Sequence, residues 1–111
     1  MKFKHLLFAK SIAFLTFSCN KTEAFISVCD GSSPTYDADV AAIISQKCLQ
    51  CHGAGSSNGN YSTYSGLSAV TSSGKFEQEV LTDQTMPQTG SLSEAQLNQI
   101  KCWVENGFPE N

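Results

Sequence analysis

At 111 residues, 41% of them apolar and 15% charged, the chain has the make-up of one small globular domain, near the size at which a hydrophobic core alone barely holds a fold. Its net charge of −3, with lysine but no arginine among its cations, argues against nucleic acid or anionic lipid headgroups as partners.

Residues 1–18 read as an export signal: Lys2 and Lys4 precede an apolar run over residues 6–17, and polar Asn20, Lys21 and Thr22 follow abruptly. The run is too short to span a bilayer, and its flanks argue against a core helix. Cys19, directly after Ser18, resembles the lipidation site of a bacterial lipoprotein, with Thr16 and Phe17 where that signal usually has Leu and a small residue. Removal of residues 1–18 takes away Lys2, Lys4 and Lys10 and moves the net charge from −3 to −6. The expectation is an exported, periplasm-facing or cell-surface protein held to a membrane by lipid, in an oxidising compartment where disulfides persist.

Residues 19–35 are polar and contain Gly31, Ser32, Ser33 and Pro34, the composition of a tether. A first helix is predicted from Tyr36 or Asp37, where Asp37 and Asp39 suit the positive end of the helix dipole and Val40, Ile43 and Ile44 form an apolar stripe leading into Cys48. Residues 53–59 form a Gly, Ser and Asn loop. Weaker helical patterns follow through Leu67, Ala69 and Val70, and through Phe76, Val80 and Leu81. The last helix should start at Ser93, because Ser93 and Gln96 make a capping-box pair and Leu92 and Leu97 occupy the hydrophobic-staple positions. Leu97, Ile100, Trp103 and Val104 line one face, and Asn106, Gly107 and Pro109 supply the stop. Residues 36–111 therefore predict an all-α domain, with no alternating run long enough for a strand. Its apolar supply is thin, and a buried planar cofactor would complete the core.

Cys48, Leu49, Gln50, Cys51 and His52 spell C-x-x-C-H, the attachment motif of c-type haem. On a helical turn this spacing sets two thiols at the separation of the two vinyl groups and places the next imidazole under the iron. A thioredoxin-like pair would need a βαβ pattern, which is absent. Zinc would need four convergent ligands, and His52 is badly placed to share a metal with Cys51. A disulfide between Cys48 and Cys51 would leave His52 unexplained. Once residues 1–18 are removed, Met86 is the only methionine and His52 the only histidine. Met86 is followed by Pro87, which restricts Met86 to extended conformations and stiffens a ligand loop. His52 and Met86 are the candidate iron ligands; the competing role for Met86 is to fill a core gap.

Together, the C-x-x-C-H, the Met-Pro and the closing stretch from Leu92 and Ser93 through Trp103, Asn106, Gly107 and Pro109 resemble a class I mono-haem cytochrome c over residues 36–111. The resemblance implies helices wrapped around one covalent haem, with first and last helices crossing at Ile44 and Trp103. In that family the proximal imidazole is commonly anchored on the carbonyl of a following Pro. No Pro lies between His52 and Met86 here, so a carbonyl within residues 53–66 should orient His52 instead.

With both axial positions filled, the expected role is single-electron transfer rather than enzymatic chemistry, between membrane-bound or membrane-adjacent redox proteins. A labile Met86 would instead suit a haem-based gas sensor or weak peroxidase, and an accidental motif would leave a structural lipoprotein. Of the five cysteines, two are assigned to haem and Cys19 to lipid, which leaves Cys29 and Cys102 for a disulfide. Cys102 should face outward on the last helix, opposite the Leu97, Ile100 and Val104 stripe, where the segment before the first helix can cross it.

Overall fold

The computed structural model describes residues 23–111. The predicted export signal and the candidate lipidation site Cys19 lie outside the described residues. Every regular element among those described is helical, so the domain is all-α. None of these helices is long and apolar enough to cross a membrane.

A π-helical turn over Tyr36–Val40 runs directly into helix α1 (Ala41–Lys47). Its start is fixed by Thr35, whose hydroxyl accepts from the Ala38 amide, while Asp39 Oδ2 accepts from the Thr35 amide at 3.0 Å. The other Asp39 oxygen accepts from Gln99 Nε2 at 3.0 Å, so one carboxylate caps the first helix and ties it to the last. Cys48 ends α1 and begins the single turn α2 (Leu49–His52). After a long loop come α3 (Tyr64–Ser72), α4 (Lys75–Glu77) and a π-helical turn over Gln78–Thr82. These are the two weaker helical patterns of the sequence, and they bury Leu67, Phe76, Val80 and Leu81.

Helix α5 (Glu94–Glu105) has both ends specified locally. Ser93 and Gln96 close the capping box in both directions, at 3.0 and 3.1 Å, and half-buried Leu92 and buried Leu97 join the core beside it. At the other end Gly107 adopts φ 83°, which a side chain would resist, and the Phe108 and Gly107 amides donate to the carbonyls of Trp103 and Val104. This is a Schellman motif, completed by contact of the Phe108 ring with Trp103 at 5.9 Å between centroids.

The core gathers Val40, Ile43, Ile44, Leu67, Ile100 and Trp103. Ile44 and Trp103 are both fully buried in that one cluster, and α5 meets the first helical segment at its π-helical turn, Tyr36–Val40. Each such side chain contributes about 1.5–3 kcal/mol of hydrophobic stabilisation. The indole N–H of Trp103 donates to the Pro109 carbonyl at 2.9 Å, and the same carbonyl accepts from the Tyr36 amide. The chain end is thereby folded back onto the start of the first helix.

The segment assigned to a free tether differs from that expectation, because residues 25–32 are docked. Phe25 packs against the core, the Val28 amide donates to Asn98 Oδ1 at 2.8 Å, and Asn106 Nδ2 donates to the Ser32 carbonyl at 3.1 Å. Between those two bonds Cys29 and Cys102 form a disulfide, with Cα atoms 4.6 Å apart. Asn98, Cys102 and Asn106 recur every four residues, so the strap follows one face of α5. Cys102 lies on the side away from the apolar stripe, but it is 1% exposed rather than facing outward. The strap covers it, whereas Val104 of the stripe is only half-buried.

Candidate functional site

The turn α2 carries the C-x-x-C-H. Cys48 has φ −120°, so the chain leaves α1 there and restarts, with the Cys51 and His52 amides both donating to the Cys48 carbonyl. Cys48 is half-buried, Cys51 exposed, and both are free thiols. Burial pushes the Cys48 thiol up to about 11. A redox-active C-x-x-C pair works through a depressed thiol, so this shift argues against a thioredoxin-like role.

His52 is held on two sides. Its Nδ1 donates to the Asn58 carbonyl at 2.9 Å, which identifies the orienting carbonyl expected within residues 53–66. Its ring stacks on Tyr61, with centroids 4.2 Å apart and planes within 2°, and the Tyr61 amide donates to the His52 carbonyl at 2.7 Å. The loop is braced from inside by Ser56, whose hydroxyl donates to the Cys51 carbonyl at 2.6 Å and accepts from the Asn58 amide at 3.1 Å. The loop returns against α3 at Gly66, where any side chain would overlap the Asn60 carbonyl.

Met86 lies in the loop between the second π-helical turn and α5. The Thr85 and Met86 amides both donate to the Glu79 carbonyl, at 2.9 and 3.2 Å. Gln84, just before them, adopts φ 51° and donates through Nε2 to the Phe25 carbonyl of the strap.

Cys48, Cys51 and His52 around the turn α2 and Met86, far along the chain from them, line one cavity of about 510 Å³. That volume falls in the usual range for ligand and cofactor sites. Phe76, Val80, Leu92 and Ile100 give it an apolar wall, and Lys47 and Lys75 lie among its polar residues. A covalent haem asks for two free thiols one turn apart, an imidazole whose other nitrogen is occupied, a second axial donor and an apolar slot. The residues present fit that demand: the carbonyl on Nδ1 leaves Nε2 of His52 as the ligating atom.

Cys29 and Cys102 are spent on the disulfide and take no part in the cavity. Asn58, Tyr61, Ser56 and Gln84 escaped the sequence reading. Asn58 acts through its backbone, which carries no residue signature, and Tyr61 and Gln84 matter only through contacts the fold creates. No family model, no curated protein and no solved structure matches the chain.

Proposed function

We propose that the domain is a mono-haem c-type electron carrier, held near a membrane in an exported compartment. The observation that carries this reading is the convergence of Cys48, Cys51, His52 and Met86 on one cavity. Cys48 and Cys51 would hold the haem through thioethers, and His52 and Met86 would be the ligands of its iron. The bound group supplies a one-electron ferric–ferrous couple.

The chain's own residues do the rest. Asn58 fixes the tautomer and the direction of His52. Phe76, Val80, Leu92 and Ile100 keep water from the inner wall, which with a thioether ligand favours the reduced state and raises the potential. Two protein ligands leave no coordination position for oxygen or a substrate, so outer-sphere electron transfer is the fitting role. If Cys19 carries lipid, the stretch from there to the docked Phe25 is six residues, with a reach of about 20–22 Å at full extension. Donor and acceptor would then be membrane-bound or membrane-adjacent redox proteins.

The deciding experiment is the absorption spectrum of the protein exported with its own signal in a host that attaches haem c. The expected result is a covalent haem spectrum with a sulfur-to-iron charge-transfer band in the oxidised protein, lost in Met86→Ala. A colourless folded protein would end the proposal.

A further inference from the structure

The side chain of Gln84 joins the strap to the Met86 loop. Gln84 Nε2 donates to the Phe25 carbonyl, and it approaches the Leu81 carbonyl at 3.4 Å. Phe25 is fixed in turn by its packing on the core and by the Cys29–Cys102 bridge four residues on, itself flanked by the bonds to Asn98 and Asn106. On the loop side, the next two amides after Gln84 close onto the Glu79 carbonyl. Met86 is therefore reached by two fastenings, Glu79 from one side and the strap through Gln84 from the other.

The left-handed conformation of Gln84 sharpens the point. A glutamine at φ 51° sits in a geometry that favours Gly, Asn or Asp. Its side chain is half-buried and spends its donor across the strap, so the tertiary bond stands where local preference does not.

We infer that Gln84 is a positioning residue for Met86, and that it works by tying the Met86 loop to the disulfide-anchored strap. A residue 59 positions away in sequence thus holds the loop that offers the thioether to the cavity. The inference rests on the haem reading for its consequence at the iron, but not for the coupling itself. In effect the docked strap acts at a distance on the candidate ligand, through Phe25 and Gln84.

The test uses the full holoprotein, the variants Gln84→Ala and Gln84→Lys, and a strap-released variant, Cys29→Ser and Cys102→Ser with Asn98→Ala, made with and without Gln84→Ala. Amide hydrogen exchange is followed at Thr85 and Met86, and the pH at which the sulfur-to-iron band disappears is followed in parallel. Gln84→Ala should exchange about fivefold faster at those two amides, as expected for loss of one hydrogen bond, while amides in the middle of α5 keep their wild-type rates. It should also lose the band at a lower pH. Gln84→Lys, which restores a donor of similar reach, should recover both. Adding Gln84→Ala to the strap-released variant should cause no further acceleration, because the fastening is already gone. Wild-type exchange at Thr85 and Met86 in Gln84→Ala would overturn the inference, and that variant decides the matter even if the strap-released one does not fold. Faster exchange in a wild-type background that shows no sulfur-to-iron band would uphold the coupling and refute Met86 as a ligand.

Discussion

His52 Nδ1 lies 2.9 Å from the carbonyl oxygen of Asn58, six residues further along the loop. A carbonyl can only accept, so Nδ1 carries the proton and Nε2 keeps its lone pair toward the cavity. Ring-nitrogen chemical shifts of a haem-free Cys48→Ser, Cys51→Ser variant should therefore report the Nδ1–H tautomer near neutral pH. Ser56→Ala removes the hydroxyl that bridges Cys51 and Asn58. It should cost about 1 kcal/mol per lost bond and mix the tautomers. An Nε2–H tautomer in the parent variant would show that Asn58 does not orient the ring.

Gly66 tests the same loop from its far end. A Cβ there would overlap the Asn60 carbonyl, a backbone group that cannot swing aside. Gly66→Ala should lower stability by about 1–3 kcal/mol in chemical denaturation, the usual cost of forcing atoms into packed space. The intrinsic preference of a helix for Ala over Gly would predict the opposite sign. A stabilised variant would mean that the loop does not seat against α3 as described.

How much of this was open to the sequence depends on the range of the interaction. The capping box of Ser93 and Gln96 and the stop at Gly107 are read within a few residues, and both ends of α5 follow from them. The stripe of Val40, Ile43 and Ile44 is periodic and is buried as periodicity requires. Cys29 and Cys102 could be paired by counting thiols, with no geometry at all. What stayed hidden is held by long-range contacts from ordinary residues. Nothing in the polar run before Pro34 marks Phe25 as a core contact, and Asn98 and Asn106 look like surface amides until the strap lies on them. The carbonyl of Asn58 is invisible for a different reason, since every residue has one.

The cavity predicts the cost of leaving it unfilled. About 510 Å³ bounded in part by Phe76, Val80, Leu92 and Ile100 is a large gap for so small a core. The variant with Cys48→Ser and Cys51→Ser, lacking haem, should be less stable than the holoprotein by at least about 2–5 kcal/mol, the scale of a single large core deletion. Denaturant titration of both forms, followed by far-ultraviolet circular dichroism, checks this. Equal midpoints would show that the cofactor adds nothing to the fold.

The chain end is predicted to be structural despite its polar look. Removing residues 108–111 deletes the Phe108 ring from Trp103 and frees the Tyr36 and Asp37 amides, the Trp103 indole and the Tyr64 hydroxyl. With the bond from the Phe108 amide to the Trp103 carbonyl also gone, five hydrogen bonds at about 1 kcal/mol each bring the expected loss to about 5 kcal/mol before the ring is counted. A truncated protein within 1 kcal/mol of the parent would show the tail to be dispensable.

The Cys29–Cys102 bridge closes a loop of 73 residues, which includes almost the whole helical domain. In the chain-entropy model a loop of that size removes about 4 kcal/mol worth of freedom from the unfolded state. The bridge does not act alone, because the bonds from Val28 to Asn98 and from Asn106 to Ser32 sit one turn to either side of it. Those bonds hold the strap in register, so the folded state should change little when the sulfurs are parted. The effect should then fall on the unfolded state, and three comparisons separate the contributions. Replacing both cysteines by Ser should lower the unfolding free energy by about 4 kcal/mol. Asn98→Ala with the bridge intact should cost only about 1 kcal/mol, because the covalent link keeps the strap close. In the bridge-free background, Asn98→Ala should also release the strap, seen as faster proteolysis between Phe25 and Ser32. A bridge-free protein that loses less than about 1 kcal/mol would mean that the unfolded chain already holds these ends together, and the entropic account would have to be given up.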